Sequence, residues 1–269
     1  MKTPVSMKRS FCFYPMRIFG PLLIIIITVV FPLLLLMLLS ISRGRYVYSN
    51  FEIFYWIVTL IIMAFLFTMI NYSLGRLIFR DPGTTYEALL RLQKHPNPLI
   101  SETLIHQLPT CSKCGLPKPP RCHHCTHCNR CHLRMDHHCP AIGICVALQN
   151  HRDFLVMLHW ACVSIAYYFF TIIIFYFETK IEPILIITAS VSSFVLDIFL
   201  IFFLFQQMGQ VYQNRTTIEI IKNDKSIYSL GKEKNFQQMF GDGWYQRFIP
   251  GKSSLTGFEW ALPQTSSIL

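Results

Sequence analysis

The chain has 269 residues, 52% of them hydrophobic and only 14% charged, with a formal net charge of +10. Soluble domains carry about 25% charged residues, so this composition is far from a soluble average and a membrane protein is the first expectation, with buried core helices the alternative for its apolar runs. Scattered basic residues among long apolar runs fit an anionic membrane surface better than nucleic acid.

Four apolar runs occupy residues 19–41, 54–74, 154–177 and 183–205. At about 1.5 Å of rise per residue, runs of roughly 20 residues cross a hydrocarbon core about 30 Å thick, so each is expected to be a transmembrane helix. The first lies behind Lys2, Lys8, Arg9 and Arg17. Its apolar stretch is longer than a signal peptide needs and no small-residue cleavage site follows, so a retained helix is expected. Asp197 is the one acid in the fourth run and should face other helices or water.

Lys and Arg number four before the first run, ten in residues 75–153 and seven after residue 206, against three in the two remaining loops. Basic loops stay cytosolic, which puts both termini and the middle segment in the cytosol. The expected organisation is an all-α polytopic membrane protein. A cytosolic N-terminus (1–18) leads into helices 1 and 2 (19–74); then follow a cytosolic cysteine-rich domain (75–153), helices 3 and 4 (154–206) and a cytosolic tail (207–269).

The middle segment opens on the turn DPGTTY at 81–86, and a short helix is expected between Glu87 and Leu108, interrupted by HPNP at 95–98. Eight of the ten cysteines then fall between Cys111 and Cys145. This stretch is too polar to build an ordinary core, so something else must fold it. Disulfides would need an oxidising compartment, whereas CxxC pairs in the cytosol suit tetrahedral zinc. Spacing leaves the register open: one site could use Cys111, Cys114, Cys122 and Cys125, or His124 could replace Cys122.

The written order is CxxC at Cys111 and Cys114; Lys118, Pro119 and Arg121; His124 and Cys125; Cys128 and Cys131; DHHCP from Asp136 to Pro140; then Cys145, Asn150 and Phe154. It resembles the cysteine-rich domain of the DHHC protein S-acyltransferases, or palmitoyltransferases. DPG at 81–83, TTxE at 216–219 and a tail element at 228–241 fall where that family has them, so the likeness covers nearly the whole chain.

The resemblance implies two structural zinc ions, one on Cys111, Cys114, His124 and Cys131 and the other on Cys125, Cys128, His138 and Cys145. Cys122 and Cys139 are then left over. Cys139 is the expected nucleophile, because a thiol needs a base to supply thiolate, and His137 oriented by Asp136 could serve as one. The implied reaction moves a long-chain acyl group, in the type case palmitoyl, from acyl-coenzyme A to Cys139 and then to membrane-proximal cysteines of substrate proteins. The family also implies residence in the Golgi or endoplasmic reticulum and a tail Asn235 plugged into the helix bundle. Thr216, Thr217 and Glu219 should hydrogen-bond backbone and basic groups near the end of the fourth helix.

The chain departs from the family after DHHCP, where a tryptophan, asparagines and a glycine are usual and Ala141, Gly143, Ile144 and Ala147 stand instead. Cys122, His123, His127 and His132 are expected at the surface or beside the ligands, with Cys122 a candidate second acyl acceptor and Cys12 a candidate acylation site. Two other classes compete: a silent membrane scaffold that keeps the zinc fold, and a transporter, for which Asp197 and Asn71 are the only support.

Overall fold

A computed structural model describes residues 50–179, 183–225 and 227–261. The expected first span, the N-terminal segment with Cys12, and the last eight residues lie outside the described residues. Among the described residues three helices are long and apolar enough to cross a membrane: α1 (Asn50–Phe79), α4 (His151–Thr179) and α5 (Pro183–Gln213). Each runs past its apolar stretch into polar residues, because helical hydrogen bonding does not stop where hydrophobicity does. Asn71 donates to the Phe67 carbonyl of its own helix at 2.8 Å, which accounts for a polar residue there. Asp197 is half-buried, and its Oδ1 has no partner among the described residues.

Between α1 and α4 the chain forms α2 (Thr85–Lys94) and α3 (Glu102–Gln107), broken at the expected HPNP. Thr84 caps α2 by accepting from the Glu87 amide, and Ser101 caps α3 by accepting from the Leu104 amide. Asp81 ties off the turn before α2, taking the Gly83 and Thr84 amides at 2.8 and 2.7 Å.

The all-α expectation needs correction in the cysteine-rich domain, which contains two antiparallel hairpins. One pairs β1 (His123–Cys125) with β2 (Arg130–His132); the other pairs β3 (His137–Cys139) with β4 (Ile144–Val146). The reason is local, since a ligand on each of two antiparallel arms reaches a common point across the ladder. After α5 the tail folds as α6 (Thr217–Ile221), α7 (Lys232–Phe240) and two 3₁₀ turns, Trp244–Phe248 and Glu259–Ala261.

The domain is fixed to the helix ends by charge and by packing. Asp153, fully buried at the start of α4, lies 3.5 Å from both Arg76 Nε of α1 and Arg80 Nη1 just beyond it. Leu74 and Leu77 of α1, Phe154 and Met157 of α4, and Cys139, Ile142, Ile144 and Val146 of the second hairpin form one apolar cluster, with Phe203 of α5 against it.

Candidate active site and metal centres

The hairpin registers set the ligand geometry. His124 stands opposite Cys131 in the first hairpin, and His138 stands opposite Cys145 in the second. Each pair is completed by a CxxC turn, giving one quartet of Cys111, Cys114, His124 and Cys131 and another of Cys125, Cys128, His138 and Cys145. In both, the donor atoms lie within 4.8 Å of one another, close enough to hold a metal ion. A tetrahedron with Zn–S bonds of about 2.3 Å separates its sulfurs by about 3.8 Å. The Cys114–Cys131 and Cys128–Cys145 sulfurs are 3.5 and 3.4 Å apart, and His124 and His138 both turn Nδ1 inward, 3.5–3.7 Å from the thiols. Three thiols and an imidazole at these separations suit a closed tetrahedral ion.

The four-cysteine alternative does not form. Cys122 turns its sulfur toward Thr85 Oγ1, at 3.4 Å, and is buried in the cluster of Cys111, Cys131, Ala88 and Phe258 rather than with Cys139. The thought of Cys122 as an acyl relay fails on the same ground. His132 is also interior, not at the surface, and burial pushes its imidazole down to about 4, leaving it neutral. His127 stacks on His138 with ring centroids 4.7 Å apart.

Asp136, His137 and Cys139 come together beside the second quartet. His137 Nδ1 lies 2.7 Å from Asp136 Oδ2. The Asp136 carboxylate, completely buried, also accepts the Thr217 amide at 2.9 Å and the Thr217 hydroxyl at 2.8 Å. Burial alone would push this carboxyl up, but the neighbouring His151 and His137 and the Thr217 amide hold it well below the usual range. For His137, burial opposes the charged form, yet hydrogen bonds to Asp136 and Cys139, with the Asp136 charge, raise the imidazole to about 9. The Cys139 thiol is buried among the helix-end side chains, and the Phe154 ring meets His137 edge-on at 5.3 Å.

The stretch after DHHCP closes this hairpin without an aromatic. Gly143 adopts φ 71°, favourable for glycine, and its amide bonds to the Cys139 carbonyl at 2.8 Å. Ile142 and Ile144 point into the apolar cluster while Ala141 is exposed.

The tail reaches the site through two motifs. Thr216 and Glu219 form a reciprocal capping box on α6, which leaves the Thr217 amide and hydroxyl free to serve Asp136. Glu219 also forms a buried bidentate pair with Arg121 at 2.7 and 3.0 Å. Arg121 donates further to Asn214 and lies over the rings of Tyr228 and Trp260, at 4.4 and 4.9 Å. Asn235 is buried; it donates to the Tyr212 carbonyl in the last turn of α5, at 2.8 Å, and accepts the Leu230 amide.

Arg121→Ala would leave Glu219 buried without its cation, so a loss of about 3–5 kcal/mol of stability is expected. Thermal unfolding followed by tryptophan emission measures it, and Arg121→Lys should recover only part, because lysine cannot make the fork. The aromatic partners of Arg121 were invisible in the sequence, since Tyr228 and Trp260 lie more than a hundred residues away.

Membrane-length helices thus carry a domain with two quartets able to hold metal ions, and a thiol, an imidazole and a carboxylate meet at their junction. Residues 105–224 match the family described as DHHC palmitoyltransferase. The chain is 30% identical over 198 residues to probable protein S-acyltransferase 12 of Arabidopsis thaliana, covering 67% of this chain and 68% of that protein. It is 29% identical over 202 residues to palmitoyltransferase ZDHHC2 of Mus musculus, covering 69% of this chain and 55% of the relative. With palmitoyltransferase ZDHHC15 of Rattus norvegicus it shares 31% identity over 161 residues, 54% of this chain and 47% of the relative. The matches span two thirds of the plant relative but only about half of the two rodent ones. The chain belongs to the DHHC palmitoyltransferase family of protein S-acyltransferases.

Proposed function

We propose that the protein transfers a long-chain acyl group, palmitoyl in the first instance, from acyl-coenzyme A to cysteines of substrate proteins through an acyl-Cys139 intermediate. One observation carries this reading: His137, bonded to Asp136, and Cys139 stand two residues apart on β3 and so share a face of the strand, with Cys139 in an apolar cluster built from three membrane-length helices. Nothing else among the described residues joins a nucleophile, a proton acceptor and a greasy surface.

With Nδ1 committed to Asp136 and the imidazole raised to about 9, the other ring nitrogen of His137 already holds, near neutral pH, the proton that Cys139 gives up. The Cys139 sulfur attacks the thioester carbonyl; the bond to coenzyme A breaks, and the departing thiolate takes the proton from His137. A substrate cysteine then gives its proton to His137, attacks the acyl-Cys139 carbonyl and leaves with the acyl group, and Cys139 is restored. Because one thioester replaces another, the exchange is nearly balanced and the enzyme's work is lowering the barrier. Asp136, fixed by two donors from Thr217, stabilises the imidazolium through both halves.

Zinc in each quartet would neutralise thiolate charge and cross-link the hairpins that hold Cys139 in place. Burying a palmitoyl chain stabilises by of order 10 kcal/mol, at about 0.8 kcal/mol per CH₂, so the nucleophile belongs at the membrane surface with the chain among the helices. In this reading residues 19–41 supply a fourth span. The termini and cysteine-rich domain face the cytosol of a Golgi or endoplasmic-reticulum membrane, and substrates present cysteines close to the bilayer.

The test is incubation of purified full-length protein with radiolabelled palmitoyl-coenzyme A. A hydroxylamine-labile adduct mapped to Cys139 supports the reading; a folded, zinc-loaded protein that forms none points to a silent scaffold. Thr217→Val keeps the amide bond to Asp136 and loses the hydroxyl bond. It should slow adduct formation by about tenfold, the worth of one hydrogen bond to a charged group, with zinc content unchanged.

A further inference from the structure

The 3₁₀ turn Trp244–Phe248 and the residue after it carry large apolar side chains turned outward: Trp244 is 72% exposed, Tyr245 51% and Ile249 44%. Such a patch on a polar tail asks for an occupant.

The turn is held against α4 by an unusual set of bonds. Arg152 donates to the carbonyls of Gln246 and Ile249, and Trp160 Nε1 donates to the Phe248 carbonyl at 2.9 Å. The Gly243 and Gln246 amides are satisfied within the turn itself. Irregular backbone whose carbonyls are taken by fixed side-chain donors can enter a water-poor layer; backbone that relies on solvent cannot.

The depth follows from α4. Asp153 with Arg76 and Arg80 marks a charged layer at the helix ends. Trp160 lies two turns further along α4, about 10 Å beyond that layer. There its ring meets Phe65 of α1 at 5.4 Å, inside the candidate span Ile57–Phe79. The turn, pinned by Arg152 in that layer and by Trp160 beyond it, therefore lies at the inner edge of the charged layer, beside helices that face lipid. Arg247 within the turn and Lys252 just after it are exposed, the mix of aromatic and cation expected at an anionic leaflet.

We propose that residues 244–249 are an interfacial anchor, with Trp244, Tyr245 and Ile249 inserted among the lipid headgroups and upper acyl chains of the leaflet nearer the cysteine-rich domain. The occupant of the patch is lipid. The inference rests on α1, α4 and α5 crossing the bilayer and is independent of the acyl-transfer reading. Gly251 belongs to the same device, because a Cβ there would collide with the Arg152 guanidinium that pins the turn.

The test uses full-length protein in nanodiscs of phosphatidylcholine with phosphatidylserine, half of the lipid in one of two brominated forms. Subtracting the emission of Trp244→Phe from that of the parent isolates Trp244 from the other three tryptophans. The difference spectrum is expected to be blue-shifted, to lose most of its intensity with bromines near the headgroup end of the chains, and to lose less with bromines near the chain ends. Quenching by aqueous iodide without quenching by bromolipid would overturn the proposal. So would insensitivity to both quenchers, which would mean that protein, from this chain or a second copy, covers the patch.

Discussion

Replacing Cys139 with serine is expected to abolish the acyl adduct and to lower transfer to substrate proteins by at least about a thousandfold, leaving only background thiol exchange. The size follows from the site's division of labour. Serine fits the volume of Cys139 within its apolar cluster, so the fold and both quartets should persist, but a hydroxyl beside His137 is a far poorer nucleophile than a thiol. His137→Gln should act differently: the thiol remains, so a slow adduct should form, reduced by about 10²–10⁴-fold, the usual contribution of a positioned proton acceptor. Gel fluorography with alkyne-labelled palmitoyl-coenzyme A, read as a time course, separates the two. A Cys139→Ser protein as active as the parent would end the covalent reading.

The second large effect concerns the metal quartets. Cys128→Ala is expected to remove one ligand from the quartet completed by Cys125, His138 and Cys145, and to cost of order 10 kcal/mol, most of a domain's stability. The loss should not stay in one site. His124 and Cys125 are neighbours in β1 yet belong to different quartets, so a slackened second hairpin pulls on the first. Zinc measured by atomic absorption should fall from two per chain to well below one, with the domain open to protease. Cys122→Ala is the matched control. Cys122 belongs to neither quartet though it packs beside Cys111 and Cys131, the cost is a small buried cavity, and zinc should stay at two. Equal loss of metal in the two variants would refute this assignment of ligands.

The three membrane-length helices among the described residues were legible because length and apolarity, which a bilayer demands of any helix that crosses it, are both written locally. DHHC and the surrounding CxxC pairs were legible as chemistry for the same reason. The choice between His124 and Cys122 was not legible from spacing, since only one residue separates the two; it is decided by strand pairing, which sets His124 against Cys131. The hairpins themselves escaped because strands of three residues leave too short a pattern to read as alternation. The stretch from Ala141 to Ile144 looked like a gap where an aromatic is usual, yet Ile142 and Ile144 occupy the apolar cluster from within the hairpin. Nor could sequence join Thr217 to Asp136 or Arg121 to Trp260, because those contacts depend on where α5 delivers the tail.

That delivery has a consequence for the order in which the protein becomes competent. The ribosome releases Asp136, His137 and Cys139 long before Thr217, and α4 and α5 must both be placed in between. Until the second of these helices is seated and the tail folds back, the Asp136 carboxylate lacks its two Thr217 donors and Glu219 has not yet engaged Arg121. A nascent chain thus carries the thiol and the imidazole beside a carboxylate that the Thr217 donors have not yet fixed. Because the tail is made after both helices, reactivity at Cys139 is expected to arise only once α4 and α5 are in place, which timed acyl labelling of nascent chains would read.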